Sequence, residues 1–126
     1  MTTVSGLNSL TVVGAGVLGG QIAWQSAFKG KTVVVYDLSE EGLDNCRTAH
    51  QTYTHIYKQD LGATDKDIQE TESRLTFSTD LQQAVANADI VIEAIPEVPD
   101  LKTKFYQSMA PYLPDHTLLA TNSSTL

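Results

Sequence analysis

The stretch Gly14-Ala15-Gly16-Val17-Leu18-Gly19 constrains this chain more than any other, because of what flanks it. Leu10-Thr11-Val12-Val13 ahead of it reads as a short buried strand, and from Gly16 to about Lys29 the pattern turns helical. A strand that runs through G-x-G-x-x-G into a helix gives each glycine a physical task. Gly14 permits the tight turn, Gly16 lets the backbone approach a pyrophosphate, and Gly19 lets helix and strand pack closely. The phosphate then rests on free N–H groups at the helix N-terminus, where the positive end of the helix dipole lies. Gly19, Ala23 and Ala27 continue as a small-residue stripe that suits close packing on a sheet, and Gly30 stands where a glycine ends a helix.

The rest of the chain repeats the alternation. Lys31–Asp37 is β-branched almost throughout and reads as a second buried strand. Ser39 is an N-cap candidate for a long helix to about Gln59, with Glu40 and Glu41 in its first turn. Thr64–Asp67 reads as a capping box, Leu75–Ser78 as a strand, and Thr79–Gln82 as a second capping box for a helix ending near Asn87. A strand over Asp89–Ile95, a helix over residues 100–112 and a strand over Thr117–Ala120 complete the order. Strands of continuous apolar character are covered on both faces. The expectation is therefore an α/β fold, a doubly wound parallel sheet of order 3-2-1-4-5.

Composition excludes several classes. The 126 residues suit one domain, and fifteen acidic against eight basic side chains give a formal charge of −7. Nucleic acid and anionic membrane surfaces need a basic face, so neither is an expected partner. No apolar run approaches the length of a spanning helix and no signal peptide opens the chain. The single Cys46 forms no internal disulfide, which fits a cytoplasmic setting.

Asp37, at the end of the second strand, supplies the specificity of the glycine loop. Its carboxylate accepts hydrogen bonds from the adenosine ribose hydroxyls and repels a 2′-phosphate, and no Arg follows to neutralise one, so the expected cofactor is NAD rather than NADP. A methyltransferase also pairs a glycine loop with an acidic residue after the second strand. Its loop is usually preceded by an acidic residue, where this chain has Val12-Val13.

In the second half, Ile92-Glu93-Ala94-Ile95-Pro96-Glu97 ends the fourth strand at the topological switch point, which brings Glu97 and Lys102 toward the nicotinamide half of the cofactor. Lys102 and Lys104 occupy the first turn of a helix, where a cation is disfavoured unless an anion such as a substrate or Glu97 is near. Thr121-Asn122-Ser123-Ser124-Thr125-Leu126 follows the fifth strand with hydroxyls and an amide able to bond a substrate oxygen.

Taken in order, VVGAGVLGG, VVVYD, IVIEAIPE with DLKTKF, and ATNSSTL resemble the NAD-binding domain of the 3-hydroxyacyl-CoA dehydrogenases, including the 3-hydroxybutyryl-CoA dehydrogenases. The resemblance covers nearly the whole chain and implies a Rossmann-type fold. It makes Gly14, Ala15, Gly16, Val17, Leu18 and Gly19 the pyrophosphate loop and Asp37 the ribose ligand. Glu97 and Lys102 look like the family's pair beside the nicotinamide ribose, Asn122 joins the cofactor contacts, and Ser124 resembles the serine that touches cofactor and the substrate's 3-oxygen. The family reaction passes hydride from C3 of a 3-hydroxyacyl-CoA to NAD while a histidine, oriented by a glutamate, takes the hydroxyl proton.

In the family that histidine follows the serine motif, in a G-x-H-F-x-N-P segment. This chain stops at Leu126, so residues 1–126 are expected to be an NAD-binding domain without the base, the acyl pocket or the helical C-terminal domain that usually dimerises. Alone it is expected to bind NAD without turnover, and its exposed sheet edge to favour a homodimer. Two positions depart from the family. Gln21 replaces a further glycine, and the family's CoA-contacting Ser and Lys fall at Tyr53 and Asp60. The alternatives are an NAD-dependent 3-hydroxyacid dehydrogenase that does not use CoA and a non-catalytic nucleotide-binding module. Tyr53 and Tyr57 read either as an aromatic face for adenine or acyl group, or as a stripe packing on the absent domain. His50 and His55 are expected to be exposed or half-buried, His116 a surface loop residue, and Cys46 a buried structural thiol. No metal site is expected.

Overall fold

The computed structural model describes residues 8–95 and 98–121. The elements follow as β1 (Ser9–Val13), α1 (Val17–Phe28), β2 (Thr32–Tyr36), α2 (Glu40–Leu61), α3 (Asp65–Ser73), β3 (Leu75–Ser78), α4 (Leu81–Val85), β4 (Ile90–Glu93), α5 (Pro99–Met109), a 3-10 turn (Ala110–Tyr112) and β5 (Leu118–Thr121). All strands run parallel in the order β3-β2-β1-β4-β5, as expected from the sequence. In the central strand, Val12 lies between Val35 and Ile92, and Val13 between Tyr36 and Glu93.

Alternation along the strands sends side chains into two cores. Leu10, Val12, Val33 and Val35 pack with Ala23 and Ala27 of α1 and Leu43 and Cys46 of α2. Val13, Tyr36 and Val91 pack on the other face with Ala84 and Val85 of α4 and Met109 of α5. Burial on both faces is why the strands read as unbroken apolar runs. The α1 stripe works as expected: Gly19, Ala23 and Ala27 are all buried.

Local signals fix most helix ends. Ser39 accepts the N–H of Gly42, and Thr64 with Asp67 closes a reciprocal capping box. The fourth helix differs from expectation. Its cap is Asp80 rather than Thr79, since the Asp80 carboxylate accepts the N–H of Gln83 while Ser78 Oγ accepts the N–H of Asp80. That helix stops at Val85. Strand β4 ends at Glu93 instead of Ile95, because the N–H of Ile95 turns back onto the Glu93 carboxylate at 2.8 Å. Helix α5 gives way to a 3-10 turn at Ala110, where Pro111 has no N–H to extend it.

The α1–α2 contact overturns one further expectation. His50 is buried, 5% exposed, and its Nε2 pairs with the carbonyl of Gly20 at 2.9 Å. The helices approach closely at Gly20, where an added Cβ would lie 3.3 Å from Cys46 Sγ. Tyr53 and Tyr57 belong to the same seam. Both rings meet Trp24, Tyr57 also meets Phe28 edge-on, and its hydroxyl bonds Gln25. Both tyrosines are half-buried along this seam. His55 is exposed, as is His116, which bonds Asp89 at 3.2 Å. Cys46 is buried as expected.

Candidate functional site

The glycine loop lies at the carboxyl end of the central strand, where β1 meets β2 on one side and β4 on the other. Gly14 has φ +107 and donates its N–H to the carbonyl of Tyr36 at 2.8 Å. A side chain there would also come within 2.7 Å of the Ala94 carbonyl oxygen. At Gly19 a Cβ would stand 1.9 Å from the Gly14 carbonyl oxygen, so helix and loop are in contact with no room for one. Gly16 is different in kind: nothing lies within 4 Å of its would-be Cβ. It caps α1 in extended geometry with no side-chain hydrogen bond, and the first helical turn has no acidic residue. The leading N–H groups of α1 therefore face open space, the arrangement that receives an anion.

Asp37 stands across the loop. One carboxylate oxygen accepts the N–H of Ala15 at 2.9 Å and the other that of Ser39 at 3.2 Å. Each oxygen keeps acceptor capacity for a ligand hydroxyl. Gly42, in the first turn of α2, gives the carboxylate its space: a Cβ there would sit 2.8 Å from Asp37 Cγ and Oδ1. Nothing in the local pattern of the sequence marks Gly42 as part of the site.

Between the loop and α5 lies a cavity of about 830 Å³ lined by Gly14, Gly16, Val17, Leu18, Asp37 and Leu38, among others. Its far wall comprises Ala94, Ile95 and one face of α5: Leu101, Lys104, Phe105 and Ser108. That spacing of three, four and seven is one helical stripe. The size and mainly apolar lining with a few polar groups suit an organic ligand. Tyr36 lines the cavity too, its hydroxyl pushed up by burial and by the nearby Asp37 and Asp80, so it remains protonated.

Lys102 takes the other side of α5. Its Nζ lies 3.2 Å from Glu93 Oε1, so among the described residues the lysine lining the cavity is Lys104. The sequence pattern pointed to Lys102 beside the nicotinamide half, whereas Lys102 is not among the residues that line the cavity. Glu97, Asn122 and Ser124 lie outside the described residues.

Glu93 was not singled out by the sequence pattern, yet it is the most heavily bonded carboxylate here. It is 0% exposed. Besides Lys102 and the N–H of Ile95, it accepts hydrogen bonds from Tyr106 Oη at 2.9 Å and Thr121 Oγ1 at 2.7 Å. Burial pushes its pKa up, but the bonds from Thr121, Tyr106, Ile95 and Lys102 outweigh this and hold it below the usual carboxylate value. The available signal was a lone charged residue at the end of an apolar strand, since a buried Glu almost always has a partner.

Among the described residues no three His, Cys, Asp or Glu side chains gather as metal ligands, no histidine lines the cavity, and no helix is long and apolar enough to cross a membrane.

Residues 9–126 match the family described as 3-hydroxyacyl-CoA dehydrogenase, NAD binding domain. The mitochondrial hydroxyacyl-coenzyme A dehydrogenase of Rattus norvegicus is 33% identical over 129 residues, covering 95% of this chain and 40% of that protein. Among solved structures, a diketoreductase described as acting on dicarbonyl compounds superposes with a TM-score of 0.90 at 42% identity, over 95% of this chain and 43% of that one. The (S)-3-hydroxybutyryl-CoA dehydrogenase of Ralstonia eutropha gives 0.89 at 27% identity, over 95% and 42%. The chain thus spans about two fifths of the length of these proteins.

Proposed function

The chain belongs to the NAD-binding domain family of the 3-hydroxyacyl-CoA dehydrogenases, and on that premise we propose that it is the cofactor-binding part of an oxidoreductase that converts a 3-hydroxyacyl-CoA to its 3-ketoacyl-CoA. The observation that carries the reading is the pairing of an uncapped α1 N-terminus at Gly16 with the Asp37 carboxylate at one end of an 830 Å³ crevice. These residues fit a dinucleotide, with the N–H groups from Gly16 to Leu18 for the pyrophosphate and Asp37 for the adenosine ribose. NAD, when bound, supplies the hydride acceptor.

The protein's own contribution is to bind and orient. Asp37 accepts from the ribose hydroxyls and disfavours a 2′-phosphate by charge. Lys104, Phe105 and Ile95 form the wall along which the nicotinamide half is proposed to lie, and Lys102, paired with Glu93 behind that wall, is proposed with Glu97 to stand beside the nicotinamide ribose. Glu97 and Asn122 are proposed contacts to the cofactor, and Ser124 to the substrate's 3-oxygen. The base that takes the substrate's hydroxyl proton, and the acyl site, are proposed to come from sequence beyond these 126 residues, as are most contacts of a homodimer. Leu118 and Leu119 on edge strand β5, 53% and 48% exposed, support an interface there. A cytoplasmic setting rests on the lone buried thiol of Cys46, whereas the rat relative is mitochondrial.

A second reading, oxidoreduction of a 3-hydroxyacid or dicarbonyl compound without CoA, is favoured by the 42% identity to the diketoreductase and by Tyr53, which packs on Trp24 of α1 and stands where the family's CoA-contacting serine would fall. Calorimetric titration of the 126-residue protein tests the cofactor: NAD should bind at least tenfold more tightly than NADP, and equal affinities would remove the role given to Asp37. Assays of reduced-cofactor formation with a 3-hydroxyacyl-CoA and with the free 3-hydroxyacid, run on a form of the protein that carries the catalytic base, distinguish the two substrate readings. The domain alone should show no turnover, and robust turnover would contradict the assignment of the base.

A further inference from the structure

We propose that Glu93 is a positioning residue that sets the nicotinamide-side wall of the crevice, by locking the end of β4, the start of the following loop, α5 and the end of β5 into one unit. This rests on the cofactor reading above.

The carboxylate does not line the cavity, so it acts through others. Its Oε2 takes the N–H of Ile95, and its Oε1 gathers Tyr106, Thr121 and Lys102. These donors belong to three different segments. Full burial of a charge is costly unless it is paired and bonded on every side. The fold meets that cost at a position where valine would suffice for packing alone. Two residues earlier on the same face of β4, Val91 is 0% exposed in an apolar cluster. A buried ionic group that adds little stability over an apolar one has its use in fixing geometry.

That geometry is the cavity wall. Holding the N–H of Ile95 bends the chain out of the sheet just where Ala94 and Ile95 enter the cavity lining. Ala94 also donates its N–H to the Val13 carbonyl at 2.8 Å, and its own carbonyl lies against Gly14, so the bend is keyed to the glycine loop. On α5, Tyr106 and Lys102 are one turn apart on the side facing Glu93. Gripping that side sets the helix rotation that presents Leu101, Lys104, Phe105 and Ser108 to the crevice. Asp37 anchors the adenosine end beside β2, so the β4–α5 wall faces the other half of a dinucleotide laid across the loop.

The test is calorimetric titration of the 126-residue protein with NAD and with ADP, which lacks the nicotinamide half. Wild type should bind both, NAD more tightly. Glu93→Gln keeps the shape but removes the charge, and should weaken NAD at least tenfold while ADP changes less than twofold. Asp37→Ala should weaken both ligands. If Glu93→Gln does not fold, as judged by circular dichroism, Tyr106→Phe removes one donor and should lower the NAD-to-ADP affinity ratio about threefold. Unchanged ratios in the folded variants, or equal losses for both ligands, would overturn the proposal. Wild-type binding of neither ligand would instead sink the cofactor reading on which it rests.

Discussion

The carboxylate of Asp37 accepts the main-chain N–H of Ala15 at 2.9 Å, joining the end of β2 to the middle of the glycine loop across 22 residues. The bond makes the acidic residue part of the loop's own architecture before any ligand arrives. On the proposed reading, a ribose at Asp37 and a pyrophosphate at Gly16 are thus set at a fixed separation, the condition for a binding site to avoid ordering cost.

Replacing Asp37 with Asn should weaken NAD about tenfold and narrow the preference over NADP. A hydrogen bond to a charged acceptor contributes about 1 kcal/mol more than one to a neutral amide, per ribose hydroxyl. Titration of both cofactors against the variant checks this, and an unaltered preference would exclude a charge-based role.

Gly42→Ala should lower NAD affinity by about three- to tenfold without unfolding the protein. The added methyl would overlap the Asp37 carboxylate at 2.8 Å. Alanine itself favours the helix by up to about 1 kcal/mol, which offsets part of the strain in the fold but none of it at the site. Unchanged affinity together with unchanged melting temperature would show that Asp37 has room to move.

Gly16→Ala and Gly19→Ala should separate binding from folding. At Gly16 the methyl meets nothing within 4 Å, so the melting temperature should hold while NAD binding falls at least tenfold from lost approach. At Gly19 it meets a backbone oxygen at 1.9 Å, and overpacking against an atom that cannot rotate away should cost about 3 kcal/mol or more. Thermal unfolding of the two variants gives the comparison; equal melting temperatures would refute it.

His50 should make the domain less stable in mild acid. Burial lowers its pKa below the ordinary 6.5, more than the Gly20 carbonyl raises it, so the unfolded chain takes up the extra proton first. Stability therefore falls as pH drops through 6.5 toward the folded value, by up to about 1.4 kcal/mol per unit. Urea titrations from pH 7.5 to 5.5 should show this slope, and His50→Gln should flatten it. A slope that survives in the variant would assign the effect to other groups.

Cys46 should resist alkylation in the native state. Burial pushes its thiol up to about 11, with Arg47 lowering and Asp37 raising it, so little thiolate exists at pH 8. Mass spectrometry after iodoacetamide should find it modified only in denaturant, and rapid native labelling would show that the α1–α2 seam opens.

The glycine loop, Asp37, the strand order and most caps were legible because each depends on residues close in sequence or on a repeated period. A strand–glycine–helix passage and a Thr64–Asp67 box carry their geometry within a few positions. Glu93 was not legible in that way, since its donors Tyr106 and Thr121 lie 13 and 28 residues further on. Gly42 matters only because Asp37 folds back beside α2. The two lysines of α5 differ by two positions, which on a helix is a change of face; which face meets the crevice depends on the grip of Tyr106 and Lys102 on Glu93.

By itself, then, the sequence determined the parallel α/β architecture and the glycine turn from β1 into α1, because hydrophobic period and glycine sterics act locally. Tertiary structure alone decided that Lys104 rather than Lys102 lines the crevice, that His50 is buried and the two tyrosines pack on Trp24, and that a buried carboxylate ties β4, β5 and α5 together. Those outcomes follow from how helices are rotated and seated on the sheet, and that is set by contacts between distant residues.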